Sequence, residues 1–203
     1  ILQPSGAIGF GQRFSAYHSN EWGTIVPYEI IDGVKQYLKQ HTFADPKRVG
    51  CIGASYGGFT TMSVVTRTTM FGAAVSHAGI SNIASYWGVG FWGYLYNTRS
   101  APRRYPWSHP HFYRAQSPLY NAHKVRTPRL LTHGMKDTNV PPGESLQMYA
   151  ALKLLKRPVE LLMVKGENHG IYTRNPRPLW MRSIVAFFDR HLKQQPQWWD
   201  ALY

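Results

Sequence analysis

The stretch from Val49 to Thr61, reading VGCIGASYGGFTT, restricts the fold more than any other part of the chain. A short apolar run (Val49, Cys51, Ile52) meets a Gly-x-Ser-x-Gly turn (Gly53 to Gly57), and a segment able to form a helix follows. The order is strand, tight turn, helix. A turn of this kind holds its central residue in a strained conformation above the end of a strand, and glycines beside it avoid Cβ clashes. Ser55 occupies that position and is the candidate nucleophile. Ordinary Gly-rich turns between a strand and a helix share the pattern, so the rest of the chain has to decide.

Further along the chain, strands and helices alternate. Residues Ile1 to Gly11 carry too much Gly and Pro for a helix and read as a loop. Pro27 opens a predicted helix in which Ile30, Ile31, Val34, Tyr37 and Leu38 recur at helical spacing, ending near Thr42. Asp45 and Pro46 turn the chain into the strand at Val49. After the elbow come a helix from Gly58 to Thr66, a short strand from Ala73 to Ser76, and an aromatic run from Ile80 to Tyr96 that is expected mostly to pack in the core. Arg99 to Ser117 has no clear period and reads as a surface loop rich in Pro and Arg. Pro128 precedes a third strand, Arg129 to Thr132. A helix from Pro142 to Lys156, a fourth strand from Val159 to Val164 and a last helix from Leu179 to Leu192 follow. Such alternation predicts an α/β fold, a mostly parallel sheet with helices on both faces.

A chain of 203 residues with 43% hydrophobic content can bury one sizeable core, and nothing in it marks a membrane span. One cysteine, Cys51, lies in the run before the elbow, which excludes a disulfide scaffold and suits a buried, inert thiol. The chain starts at Ile1 with no basic-then-apolar leader, so an export signal has been removed, lies upstream, or never existed. Its net charge is +13, from 23 Lys and Arg against 10 Asp and Glu, and is densest between Arg99 and Arg114. No nucleic-acid-binding motif accompanies that charge, so a solvated loop is the preferred reading over a nucleic-acid site.

Reactive groups in parallel sheets collect at the carboxyl ends of the strands. Three predicted strand ends carry a serine, an acid and a histidine: Ser55, Asp137 and His169. That order along the chain is the one found in α/β-hydrolases. A serine hydroxyl is a weak nucleophile at neutral pH, so an imidazole must take its proton and return it to the leaving group. The resulting imidazolium needs a carboxylate to hold its tautomer and its charge. His169 is cast as the base and Asp137 as the acid. His133 also follows a strand but precedes the acid, and is given a supporting role. Glu144 and Glu167 rival Asp137, but Glu144 lies inside a predicted helix and Glu167 is too near His169 in sequence. His109 and His111 resemble a metal pair, yet no further ligands cluster beside them, so neither a metal nor another cofactor is called for.

GASYGGF around Ser55, HGMKDTNVP around Asp137 and GENHG around His169 resemble the three catalytic signatures of the prolyl oligopeptidase family of serine peptidases. The opening SGAIGFGQRF and EWG at Glu21 to Gly23 resemble the glycine-rich segment before the elbow. The resemblance extends over essentially the whole chain and is closest to the dipeptidyl-peptidase and acylaminoacyl-peptidase branches. It implies an α/β-hydrolase fold, a peptide substrate and an acyl-enzyme intermediate. By the same resemblance the backbone N–H of Tyr56 serves the oxyanion hole, and the Tyr56 ring, Asn139 and Val140 line the pocket for the residue before the cut. Tyr86 and Trp87 stand as aromatic walls of that pocket. A pocket of this kind suits proline, alanine or another small apolar side chain.

The chain departs from the family in strand number, four being legible against the usual eight. The expectation is therefore that residues 1–203 form the C-terminal part of a peptidase domain whose early strands, second oxyanion donor and β-propeller belong to an N-terminal portion of the same enzyme. Trp198 and Trp199 in the tail offer a contact for a second copy, or pack against their own subunit. Two other functions share parts of this reading: a carboxylesterase with the same triad, and a non-catalytic basic binding module.

Overall fold

The computed structural model of the chain describes residues 2–203; Ile1 and the side chains of Tyr96 and Asn97 lie outside the described residues. Four strands, β1 (Gly50–Ala54), β2 (Ala73–His77), β3 (Arg129–Gly134) and β4 (Val159–Val164), pair in the order β1-β2-β3-β4, and every pairing is parallel. The register sets Cys51, Ala74 and Arg129 side by side, with His77 beside Thr132 on the two central strands. Helices connect and cover the strands: α1 (Gln12–Ala16), α2 (Ile25–Gln40), α3 (Tyr56–Val64), α4 (Ile83–Val89), α5 (Gly93–Ser100), α6 (Pro110–Gln116), α7 (Gly143–Leu154), α8 (Pro176–Leu192) and α9 (Gln197–Asp200). Residues 2–11 form no regular element. Among the described residues no helix is long and apolar enough to cross a membrane.

Because the side chains of a strand alternate between faces, the sheet generates two cores. On one face Ala74, Leu131 and Val159 pack against Ile31 of α2, Met62 and Val64 of α3, and Met148 and Leu152 of α7. On the other, Ala73, Val75 and Leu130 pack against Ile184 and Phe187 of α8, with Trp199 of α9 closing the edge. Trp199 is thus held by its own subunit, while Trp198 is exposed. The central strands β2 and β3 are buried along their full length, as expected where helices cover both faces. β1 is different: its residues alternate between exposed and half-buried, and Ile52 is 57% exposed at an open edge of the sheet.

A third cluster sits over the carboxyl ends of the strands. Trp22, Phe59, Ile83, Tyr86, Phe112 and Tyr113 form its buried part. Arg99 to Ser117 is not simply a surface loop, because α6 forms within it and buries Phe112, Tyr113 and Gln116. Pro110 does not break that helix; it occupies the first turn, where a missing N–H costs nothing. The aromatic run does not pack mostly in the core either: Tyr86 is buried, but Phe91, Trp92 and Tyr94 are exposed, spread along the short helices α4 and α5 and the turn between them.

Candidate active site

At the end of β1 the chain reverses into α3 within a single residue. Ser55 has φ 57° and ψ −120°, a conformation that non-glycine residues rarely adopt and that costs about 1–3 kcal/mol. Two bonds hold it there: Ser55 N–H donates to the carbonyl of His77 on β2 (2.9 Å), and the Ser55 carbonyl accepts from Phe59 N–H (2.9 Å). Gly53 is the glycine this turn requires, since a Cβ there would lie 2.2 Å from the carbonyl oxygen of Gly57. A Cβ on Gly57 itself would meet nothing within 4 Å.

The loops after β3 and β4 are joined to each other. Gly134 lets them touch, because a Cβ at that position would come within 2.0 Å of the Asn168 carbonyl oxygen. Lys136 N–H donates to the Glu167 carbonyl (2.8 Å) and Thr138 N–H to Asn168 Oδ1 (3.1 Å). This joint brings His169 against Asp137, with Nδ1 and Oδ2 2.8 Å apart.

Asp137 is a buried carboxylate with four donors. Its Oδ1 accepts from the backbone N–H groups of Asn139 and Val140, both at 2.9 Å. Its Oδ2 accepts from His169 Nδ1 and from His133 Nε2 at 3.1 Å. Burial alone would raise its pKa, but the bonds from His133, His169 and Val140 outweigh it and hold the carboxyl well below the usual carboxylate range. An ionised acceptor at Oδ2 keeps the His169 proton on Nδ1 and leaves the basic lone pair on Nε2. The imidazole of His169 is 27% exposed, so a substrate can reach it.

His133 is buried, and its ring is oriented by three contacts. Nε2 lies 2.8 Å from the Val140 carbonyl, which can only accept, so Nε2 carries the hydrogen and also serves Asp137. Nδ1 then accepts from the Ser145 hydroxyl (2.7 Å). This is the supporting role expected of it. The two rival acids are engaged elsewhere. Glu144 accepts from Ser81 N–H and Asn82 N–H, both at 2.9 Å, and so ties α7 to the start of α4. Glu167 closes its own loop by accepting from Tyr172 N–H (2.9 Å) and from the Thr173 hydroxyl.

Of the residues expected to line the pocket, Tyr86 and Val140 are buried in the third cluster, Tyr56 and Trp87 pack against it, and Asn139 is not part of it. The Tyr56 hydroxyl donates to the Trp22 carbonyl (2.8 Å), and its ring stacks on Phe59 with centroids 5.4 Å apart. Trp87 is half-exposed and meets Trp107 edge-on at 5.2 Å. Asn139 is half-buried, its backbone N–H held by Asp137. Phe91 N–H donates to the Thr138 carbonyl (3.1 Å), which fastens the aromatic segment to the loop of the acid.

Sequence reasoning missed His77. It ends β2, 6% exposed, with Nε2 2.9 Å from the His169 carbonyl and Nδ1 2.8 Å from Thr132 Oγ1. The available signal was a histidine at the carboxyl end of a buried strand, in no motif. Cys51, near the start of β1 and away from the carboxyl ends of the strands, has its thiol pKa pushed up to about 12, mainly by burial.

The chain is similar to known proteins over nearly its whole length. The model of the prolyl oligopeptidase family matches residues 1–195. An uncharacterised peptidase of Bacillus subtilis, YuxL, is 32% identical over 199 residues, covering 94% of this chain and 29% of its own length. A dipeptidyl-peptidase 5 of Porphyromonas endodontalis is 27% identical, covering 93% of this chain and 28% of its own. Among solved structures, an acylaminoacyl peptidase of Pyrococcus horikoshii superposes with a TM-score of 0.89 at 29% identity, over 94% of this chain and 32% of that one. The chain therefore spans less than a third of the length of each of these relatives, and its four parallel strands take their place in an α/β-hydrolase-like sheet. Since the family match runs through the elbow and both loops that follow β3 and β4, the chain belongs to the prolyl oligopeptidase family.

Proposed function

We propose that this chain carries the nucleophile, base and acid of a serine peptidase: Ser55, His169 and Asp137. The observation that carries the reading is the 2.8 Å bond between His169 Nδ1 and Asp137 Oδ2, formed by loops at the same end of the sheet as the strained Ser55 turn. In this reading His169 Nε2 takes the proton from Ser55 Oγ as the oxygen attacks the scissile carbonyl, and the imidazolium that forms is stabilised by Asp137. The negative charge that develops on the carbonyl oxygen is met by the backbone N–H of Tyr56 at the start of α3. His169 then gives its proton to the departing amine, an acyl-enzyme remains on Ser55, and water releases it by the same steps in reverse.

The substrate is a short peptide, cut after a small apolar residue or proline that sits among Tyr56, Tyr86, Trp87, Asn139 and Val140. The names of the relatives, a dipeptidyl-peptidase and an acylaminoacyl peptidase, favour removal of residues from a peptide end. Residues 1–203 would be the C-terminal part of the catalytic domain. An upstream portion would pair with the open edge of β1, where a groove of about 840 Å³ lined by Leu2, Val34, Tyr37, Leu38, Val49 and Leu192 adjoins the strand. The same portion would supply the second oxyanion donor, whose loss typically costs about 10²–10³ in turnover.

The test is a panel of aminoacyl-prolyl and aminoacyl-alanyl anilides set beside short-chain esters, using the intact natural polypeptide. Anilide hydrolysis that exceeds ester hydrolysis and vanishes in Ser55→Ala is the expected result. Ester hydrolysis with inert anilides would make the protein a carboxylesterase, and activity that survives Ser55→Ala would remove the serine from the reaction.

A further inference from the structure

We infer that His77 is a positioning residue for the acid–base step, holding the peptide carbonyl of His169 with its ring and the amide of Ser55 with its own carbonyl. The inference rests on the reading of Ser55 and His169 as nucleophile and base. Two separations define the arrangement: His77 Nε2 lies 2.9 Å from the His169 carbonyl oxygen, and the His77 carbonyl oxygen lies 2.9 Å from Ser55 N. One residue at the end of β2 thus touches the backbone of both groups, which arrive there from the neighbouring strand β1 and from β4, two strands away on the other side.

The order of protons through this residue is fixed by what each partner can do. A carbonyl only accepts, so His77 Nε2 carries the hydrogen. In the neutral ring Nδ1 must then accept, and the Thr132 hydroxyl, 2.8 Å away, is its donor. Thr132 Oγ1 in turn accepts from the indole N–H of Trp180 on α8 at 3.1 Å, and an indole only donates. The result is a chain running one way, from Trp180 through Thr132 and His77 to the carbonyl of His169. Thr132 is fully buried, and the Trp180 ring meets the His77 ring edge-on with centroids 5.0 Å apart, so no member can rotate without breaking a neighbour's bond. Burial pushes the His77 pKa down, which keeps the ring in the neutral form this order requires.

The loop of His169 is anchored before that residue by Asn168 and Glu167, and His77 supplies an anchor at the His169 peptide itself. Without it the imidazole keeps its bond to Asp137 but swings about that contact, and its Nε2 loses aim. A misplacement of about 1 Å in a reacting group costs on the order of 10²-fold in rate.

Four forms of the intact natural polypeptide test this: wild type, His77→Leu, His77→Asn and His77→Gln, each with its thermal midpoint recorded. Glutamine places an amide N–H near the position of Nε2, whereas asparagine reaches only the position of Nδ1. His77→Leu and His77→Asn are expected to lose about 10²-fold in kcat on the anilide substrate with KM moved by less than about threefold, and His77→Gln to stay within about fivefold of wild type. A role confined to stability would lower the thermal midpoint and leave the kcat of the folded enzyme in place. If His77→Leu does not fold, the Gln and Asn pair still decides. Wild-type kcat in His77→Asn, or equal losses in His77→Asn and His77→Gln, would overturn the positioning role while leaving the triad standing. A wild-type protein that a fluorophosphonate fails to label at Ser55 would overturn the triad and the positioning role with it.

Discussion

His169 Nδ1 and Asp137 Oδ2 lie 2.8 Å apart although 32 residues separate them along the chain. The contact is made by two loops that leave adjacent parallel strands, β3 and β4, in the same direction. It is closed by the Gly134 approach and by the bonds from Lys136 to Glu167 and Thr138 to Asn168. The Asp137 carboxylate is therefore held in place by the chain itself, with both oxygens occupied.

Replacement of that acid should be felt in two ways. Asp137→Asn removes the charge that holds the His169 tautomer and is expected to lower kcat by about 10⁴-fold, read on the anilide substrate. The folded Asp137 pKa is depressed, so in the acid range the unfolded chain binds the extra proton first, and stability rises with pH there. This contribution is present in full above the unfolded carboxyl pKa of about 4 and is lost as pH falls toward the folded value. Urea titrations from pH 6 to pH 2 should show a steeper loss for wild type than for Asp137→Asn. Parallel slopes would contradict the depressed pKa.

The elbow makes a paired prediction. Gly53→Ala forces a Cβ to 2.2 Å from a backbone oxygen and should destabilise the fold by about 3 kcal/mol or more. Gly57→Ala meets nothing within 4 Å and lies in the first turn of α3, so it should be neutral or stabilising by up to about 1 kcal/mol. Chemical denaturation of the two variants distinguishes them, and equal effects would mean that the turn does not have this geometry.

Glu144 makes a structural prediction close to the site. Its buried carboxylate accepts from Ser81 and Asn82 backbone N–H groups and from Gln147 Nε2 (3.0 Å). Glu144→Ala leaves these N–H groups without their acceptor and should cost about 2–3 kcal/mol of stability, measured by denaturation. Because the contact seats α4, which carries Tyr86 and Trp87, KM is expected to rise more than kcat falls. A change in kcat alone would place Glu144 in the chemistry instead.

The strands were legible because buried parallel strands read as short apolar runs, and β4 occupies the very residues its run suggests, Val159–Val164. Asp137 and His169 could be chosen from sequence since each follows such a strand. What the sequence hid depends on lateral register. His77 meets Thr132 because β2 and β3 pair with those residues opposite, and no spacing along the chain encodes that pairing. The helix α6 was masked by Pro110, whose composition suggests a loop while its position at a helix start does not. Phe91, Trp92 and Tyr94 looked like core from their side chains, yet the short helices α4 and α5 and the turn between them leave these residues exposed.

Reaction of the intact natural polypeptide with a fluorophosphonate, followed by mapping of the modified residue, bears most directly on the account. Only an activated serine is phosphonylated rapidly, and activation here is assigned to His169. A single adduct on Ser55, absent in Ser55→Ala and formed at least about 10³-fold more slowly in His169→Ala, is the predicted result. An adduct on another residue, or an undiminished rate in His169→Ala, would contradict it.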